Sequence, residues 1–357
     1  MYKNNTAYQS ELLEYVKENE VLSALSNQSV LITGAAGLIG TYLVDLIMKK
    51  NQVDGANIRV LCVDTNRQEV QARFQEYFDC QEFSYYIHDV VQPLPEDFPI
   101  VDYIIHAASN TSPVDYATYP VETIATNSVG TYFLLEYAKR IHAKRFLFCS
   151  SVEIYGQNRG DVERFTEDYS GYINCNTVRA AYPAGKRASE AMCAAYHKQY
   201  GIDYVIARIG RFYGPTVIMG DTKAPTQFIM NAIKGENIVL KSDGTQQFSW
   251  GYVGDCAIGL LYMLVFGAST EAYNIADPCS EVMLREFAGT AAACANTKLV
   301  FVEQSAVESV GYSKVTKALL DVSKLESLGW KAKYNTIVGI EKTVHYLQDA
   351  EHKRGNA

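Results

Sequence analysis

The chain has 357 residues, 48% of them hydrophobic and 20% charged, which is the balance of an ordinary globular enzyme and enough chain for two closely joined lobes. A formal net charge of −8 excludes a general nucleic-acid binder, which carries a basic surface. The longest apolar stretch, near Ala257–Ala268, falls short of the roughly 20 residues that span a bilayer, so no membrane partner is expected.

The segment 1–28 opens as MYKNNTAYQSELLEYVKENE, polar and acidic, without the apolar core of a signal peptide. Leu12, Leu13, Val16 and Leu22 give it a short amphipathic helix, expected to pack on the surface as an extension with no chemistry. From Ser29 a β-α alternation begins. SVLITG is a buried strand and LIGTYLVDLIMKK its helix; IRVLCVD is the second strand, followed by a helix around Gln68–Phe78. SYYIHDV and DYIIHAA are the third and fourth strands, Val121–Ile141 a long helix, KRFLFCSS the fifth strand, the run from Tyr182 to about Tyr200 a helix, and IDYVIARI the sixth strand. Short apolar runs separated by helices predict an α/β fold with a doubly wound parallel sheet of Rossmann type, which carries ligands at the carboxyl ends of its strands. Beyond Gly214 the pattern loosens. The expected organisation is therefore 29–212 mainly a dinucleotide-binding domain, and 213–357 mainly a smaller α/β substrate lobe with segments returning to the first domain.

The eight cysteines are scattered, with no C-x-x-C pair, which predicts reduced thiols in a cytoplasmic protein and no metal site.

Gly34, Gly37 and Gly40 sit in TGAAGLIG, where the first strand meets the first helix. Glycines there permit a tight turn and let the backbone approach a pyrophosphate, while the helix N-terminus at Leu38 and Ile39 offers free N–H groups and a favourable dipole. Asp64 ends the second strand, where a carboxylate accepts from both adenosine ribose hydroxyls and repels a 2′-phosphate. This favours NAD over NADP, although Arg67 lies nearby; the alternative for Asp64 is a helix N-cap. Asp89 and Val90 follow the third strand, at the place of an adenine contact. Ala107, Ala108 and Ser109 follow the fourth, where small residues allow close approach to the cofactor. A plain strand terminus is the alternative for each.

Tyr182 and Lys186 lie four apart at the start of a helix, on one face of it. A neighbouring ammonium stabilises phenolate, so the tyrosine pKa is expected to fall and Tyr182 to serve as general base towards a substrate hydroxyl; Lys186 can also hold the nicotinamide ribose. Ser150 and Ser151 end the fifth strand at the same sheet edge, where a hydroxyl can orient the substrate.

Taken together and in this order, TGAAGLIG, HAAS, SSVEIYG, YPAGK, ARIGRFYGP and GYVGD resemble the extended short-chain dehydrogenase/reductases of the NAD-dependent epimerase/dehydratase family, over roughly 29–345. The nearest likeness is to the branch acting on nucleotide-activated sugars, such as UDP-glucuronate decarboxylases and dTDP-glucose 4,6-dehydratases. The resemblance places the catalytic hydroxyl on Ser151, the tyrosine on Tyr182, the lysine on Lys186 and a cofactor-facing asparagine on Asn127. It makes Glu153 a candidate second acid/base, with a structural carboxylate as its alternative. Dehydratases carry an aspartate where this chain has Val152, which cannot protonate a leaving group. The family's diphosphate-binding arginine falls on Phe248, and its asparagine in ARIFNxxGP falls on Arg211. Arg211 is thus expected to take over the diphosphate contact, with Arg179 and Lys223 as further substrate-binding candidates; pairing with an acidic neighbour is the alternative for Arg211. The inserted stretch between Asn158 and Ala180 is a candidate substrate-facing loop. A homodimer through helices near 121–141 and 183–200 follows from the same resemblance.

The function expected is oxidation of a sugar hydroxyl, C4 by preference, on a nucleotide-activated sugar, followed by decarboxylation or epimerisation. The alternatives are an NAD(P)H-dependent reductase making a nucleotide-linked deoxysugar or polyol, a 4,6-dehydratase, and a catalytically silent NAD-binding regulator.

Overall fold

A computed structural model describes residues 4–218, 220–302 and 315–355. In chain order the first part comprises α1 (Thr6–Glu18), β1 (Ser29–Thr33), α2 (Leu38–Asp54), β2 (Arg59–Asp64), α3 (Arg67–Phe74), β3 (Phe83–Ile87), β4 (Tyr103–His106), α4 (Pro113–Thr118), α5 (Pro120–Ile141), β5 (Arg145–Ser151), α6 (Ala181–Tyr200) and β6 (Tyr204–Ile209). The second comprises β7 (Arg211–Tyr213), α7 (Ala224–Ile233), β8 (Ile238–Leu240), β9 (Gln247–Tyr252), α8 (Val253–Phe266), β10 (Ala272–Ile275), β11 (Glu281–Met283), α9 (Leu284–Cys294), β12 (Leu299–Phe301), β13 (Lys317–Ala318), α10 (Ser323–Glu326) and α11 (Thr336–Gly355).

Seven strands form one sheet in the order β10-β6-β5-β4-β1-β2-β3, all parallel. The order reverses beside β1, which opens the crevice where such sheets bind ligands. Each strand alternates its side chains between two cores. Leu31, Leu61, Val63 and Ile104 face one core with Leu134 and Leu135 of α5, whereas Val30, Ile32, Val60 and Cys62 face the other with Tyr42 and Leu43 of α2. Because both faces are covered, the strands read as continuous apolar runs rather than alternating ones.

The chain leaves this sheet at Gly210. A Cβ there would lie 3.1 Å from the Ile275 carbonyl and 3.2 Å from that of Ser249, so only glycine threads the junction easily. One residue later β7 runs parallel to β9 with Arg211 opposite Trp250. β9 also carries β11, antiparallel, and β13, parallel, while β8 and β12 make a separate parallel pair. The large sheet is completed only by β10, from the second half of the sequence.

The N-terminal extension differs from its expected surface packing. Tyr8, Leu12, Tyr15 and Val16 of α1 are buried, as is Glu11, whose carboxylate accepts from the hydroxyls of Tyr42 (2.7 Å), Tyr252 (2.7 Å) and Tyr346 (2.9 Å). Tyr8 donates to Asp45 at 2.8 Å and Tyr15 to Asp255 at 2.9 Å. The helix is polar in sequence yet buried, because its carboxylate and hydroxyls find partners on α2, β9, α8 and α11.

Candidate active site

The glycine loop is shaped for close approach. Gly34 has φ +66°, and a Cβ there would lie 2.8 Å from the Ala108 backbone, so β1 and β4 meet at this point because neither side is bulky. A Cβ on Gly40 would lie 2.5 Å from the Gly34 carbonyl, which fixes how tightly α2 docks on the loop. Gly37 is the N-cap of α2, and the N–H groups of Leu38 and Ile39 in its first turn have no helical carbonyl to meet. They form an anion cradle at the crevice.

Asp64 closes the loop from β2. Its Oδ2 accepts from Ala36 N at 2.9 Å and its Oδ1 from Asn66 N at 3.0 Å. The N-cap of α3 is Asn66, not Asp64. Each carboxylate oxygen keeps a lone pair for a ribose hydroxyl. Asp89 turns the chain after β3, accepting from Val91 N at 3.1 Å, and Val90 is buried with Gly130 of α5 against it. Ser109 donates to Asn127 Oδ1 at 2.9 Å, and Asn127 Nδ2 donates to the Thr123 carbonyl at 2.8 Å, so this buried asparagine has a fixed orientation. Ala107 and Ala108 line the approach beside Gly34. The loop cradle, the small residues and the acidic strand end thus fit a dinucleotide: Leu38 and Ile39 would hold its diphosphate, Asp64 its adenosine ribose, and Lys186 its second ribose.

Ser151, Tyr182 and Lys186 converge at the carboxyl edge of β5. Ser150 and Ser151 point to opposite faces, as consecutive strand residues must. Ser150 donates to Glu190 at 2.6 Å, in a network with Arg208, and so belongs to the framework. The Ser151 hydroxyl is near enough to Tyr182 to favour its phenolate and accepts from Glu153 N at 3.2 Å. Lys186 donates to the Cys149 carbonyl at 2.7 Å, with its Nζ 5.8 Å from the centre of the Tyr182 ring. Burial pushes the Lys186 ammonium down to about 8. The expected fall of the Tyr182 pKa is not realised: burial pushes the phenol up to about 12, against a smaller opposing effect of the neighbouring Ser151 hydroxyl. The ammonium is drawn to a carbonyl rather than to the phenol oxygen, so desolvation dominates.

Tyr116 of α4 was not foreseen. Its ring stacks on Tyr182 at 4.8 Å, and the Arg179 guanidinium lies over the same Tyr116 ring, 4.9 Å from its centre. Arg179 donates to Glu153 Oε2 at 2.7 Å. Arg211 forms no ion pair among the described residues; it lies over the Phe248 ring at 3.8 Å. The strand register explains this: Arg211 pairs with Trp250 on β9, two residues from Phe248 and on the neighbouring position of the same face. Phe248 is therefore a platform that carries a guanidinium in place of supplying one. Lys223 stands apart from this cluster. It pairs with Asp221 at 2.7 Å and donates to Thr111 at 2.9 Å, fastening the start of α7 to the segment after β4. The inserted loop is anchored by Phe165, buried, whose N–H donates to the Leu319 carbonyl at 2.8 Å, and its far end delivers Arg179. No metal-ligand cluster and no helix able to cross a membrane occurs among the described residues.

Comparison with known proteins agrees with this geometry. Residues 30–276 match the NAD dependent epimerase/dehydratase family. The chain is 32% identical to UDP-glucuronic acid decarboxylase 1 of Xenopus tropicalis over 339 residues, covering 94% of this chain and 76% of that protein. It is 37% identical to UDP-glucuronic acid decarboxylase 6 of Arabidopsis thaliana over 265 residues, 74% of each. In fold it resembles the UDP-glucuronic acid 4-epimerase of Bacillus cereus, solved with UDP-glucuronic acid and NAD, with TM-score 0.76 and 21% identity over 90% of this chain and 99% of that one. A loop built for a dinucleotide, a serine, tyrosine and lysine gathered beside it, and these likenesses carry one conclusion: the chain is an NAD-dependent enzyme and belongs to the NAD-dependent epimerase/dehydratase family.

Proposed function

We propose that this enzyme oxidises C4 of a UDP-linked hexuronate and then releases the sugar carboxylate as carbon dioxide. The observation that carries the reading is the convergence of Ser151, Tyr182 and Lys186 with Glu153 two residues further on. In this assignment Tyr182 takes the proton of the C4 hydroxyl, and Ser151 hydrogen-bonds the same oxygen. NAD, which Leu38, Ile39, Asp64 and Lys186 would hold, would supply the acceptor for the C4 hydride and the source of its return. Tyr182 and Ser151 then hold the C4 oxygen while negative charge gathers on it as carbon dioxide departs. Glu153 is the carboxylate placed to handle the proton at the neighbouring carbon. Arg211, set flat on Phe248, is assigned to the diphosphate, since a planar guanidinium pairs well with phosphate oxygens. The decarboxylase names of the relatives at 32% and 37% identity support the choice of uronate.

The face formed by α5 and α6 is assigned to a homodimer, because Val121, Ile124, Val129 and Tyr132 are exposed along α5. The reaction is tested by incubating the protein with NAD and UDP-glucuronate and weighing the products. Loss of carbon dioxide without net NADH formation is expected. A product of unchanged mass would move the assignment to epimerisation; in a parallel incubation with NADH, its stoichiometric consumption would move it to reduction.

A further inference from the structure

Beside the triad the site holds two guanidiniums and one carboxylate. Arg211 has its Nε buried without a hydrogen-bond partner, and so has Arg179 its Nη1. Arg179 spends its Nη2 on Glu153 at 2.7 Å; Arg211 spends nothing on an acid, although both guanidiniums lie within electrostatic reach of Glu153 and of each other. Buried donor atoms without partners are rare and costly to keep. A fold that holds both in place is organised to receive an anion.

The two arginines are not equivalent. Arg211 is clamped on the ring of Phe248 at 3.8 Å, on the small-sheet side of the site. Arg179 lies over Tyr116 at 4.9 Å, and Tyr116 stacks on Tyr182 at 4.8 Å, so Arg179 is one ring removed from the triad. An anion that reaches Arg179 is therefore a substituent of the sugar whose hydroxyl meets Tyr182. The pair is open enough to exchange partners, with 38% of the Arg179 side chain and 23% of that of Glu153 exposed.

We infer that Arg179 is a specificity-determining residue for a carboxylate on the sugar, and that Glu153 occupies its guanidinium until that carboxylate arrives. The inference rests on the nucleotide-sugar reading above. Its consequence is a coupling: the substrate anion that captures Arg179 releases Glu153 from its ion pair, so the acid/base is set free by the substrate that requires it. A sugar with a neutral C6 leaves Glu153 tied.

The test is calorimetric titration of the NADH-loaded protein, which cannot oxidise the sugar, with UDP, UDP-glucose and UDP-glucuronate. The wild type binds UDP-glucuronate about tenfold more tightly than UDP-glucose, the worth of one charge-assisted contact. In Arg179→Gln that ratio falls towards one while UDP binding is unchanged, which also verifies the fold of the variant. In Glu153→Gln, with the competing carboxylate removed, the ratio rises above the wild-type value. Equal binding of the two sugars by the wild type, or a parallel loss of all three ligands in Arg179→Gln, would overturn the assignment of Arg179. A ratio that does not rise in Glu153→Gln would overturn the exchange of partners. Failure to bind UDP itself overturns the nucleotide-sugar reading and this inference with it, whereas UDP binding without discrimination overturns this inference alone.

Discussion

The Lys186 ammonium reaches from α6 to donate to the Cys149 carbonyl of β5 at 2.7 Å, away from the tyrosine it is spaced to assist. The lysine is 2% exposed and its pKa is pushed down to about 8 by burial, from an ordinary 10.5. Below pH 8 the folded protein therefore carries a buried charge that the unfolded chain hydrates. Between about 8 and 10.5 the unfolded state binds more protons than the folded one, so this group's contribution to stability rises with pH across that window. Lys186→Met should raise stability at pH 7 by about 1–3 kcal/mol, because it removes the desolvated charge, with turnover lost. The gain over wild type should shrink as the pH approaches 10.5, which thermal melts at a series of pH values will check.

Tyr182→Phe removes the phenol oxygen and leaves the ring stacked on Tyr116. Turnover should fall by about 10³-fold, within the range general acid–base groups supply, while NAD affinity stays within about threefold of wild type. Turnover assays and quenching of protein fluorescence by NAD measure the two effects separately. Full activity in this variant would remove Tyr182 from its role.

Two glycines of one loop separate fold from cofactor. Gly40→Ala brings a Cβ to 2.5 Å from the Gly34 carbonyl and 2.7 Å from Ala35, so α2 cannot dock as it does; both the melting temperature and NAD binding should fall. At Gly37 the nearest atom is the Gly34 carbonyl at 3.2 Å, and the protein should fold. Its new methyl crowds the cradle instead, so Gly37→Ala should weaken NAD binding by about tenfold or more with a small change in melting temperature.

Much of this site is readable in the chain because its signals are local. The β-branched runs at Val30–Ile32 and Val60–Val63, each ending in a turn, could be strands of a doubly covered sheet and little else. Tyr182 and Lys186 announce their shared face by spacing alone. The choice between Ser150 and Ser151 was also within reach, since adjacent strand residues point oppositely. Other features depend on distant partners. Lys186 was expected to depress the Tyr182 pKa, and no spacing rule reveals that a carbonyl at Cys149 takes the ammonium first. Tyr116 lies in a six-residue helix with no periodicity to read. The stack of Arg211 on Phe248 requires the register of β7 against β9, a pairing across 37 residues of sequence between Arg211 and Phe248. The depth of α1 is of the same kind: nothing within residues 6–18 says that tyrosines at 42, 252 and 346 will surround Glu11.

Glu11→Ala strips three buried hydroxyls of their acceptor and Lys342 of its partner at 3.2 Å. Loss of one member of such a buried charged network costs about 3–5 kcal/mol, so a large fall in melting temperature is expected without any change at the triad. Denaturant titration of the NAD-bound variant, followed by its residual turnover per folded molecule, checks that the effect is on stability. Activity per folded molecule should match wild type.

The same seam has a bearing on synthesis. Asn5 donates to Asp349 at 3.1 Å, Tyr346 reaches Glu11, and the large sheet is finished only when residues 272–275 take their place. Helix α1 therefore waits for α11, more than 300 residues later, before either is fully buried. A nascent chain halted short of residue 272 would have the loop, the serine and the tyrosine, but no last strand beside β6 to finish the sheet that holds them. Quality-control proteases would meet such a stalled product as a half-built sheet with an unpaired edge.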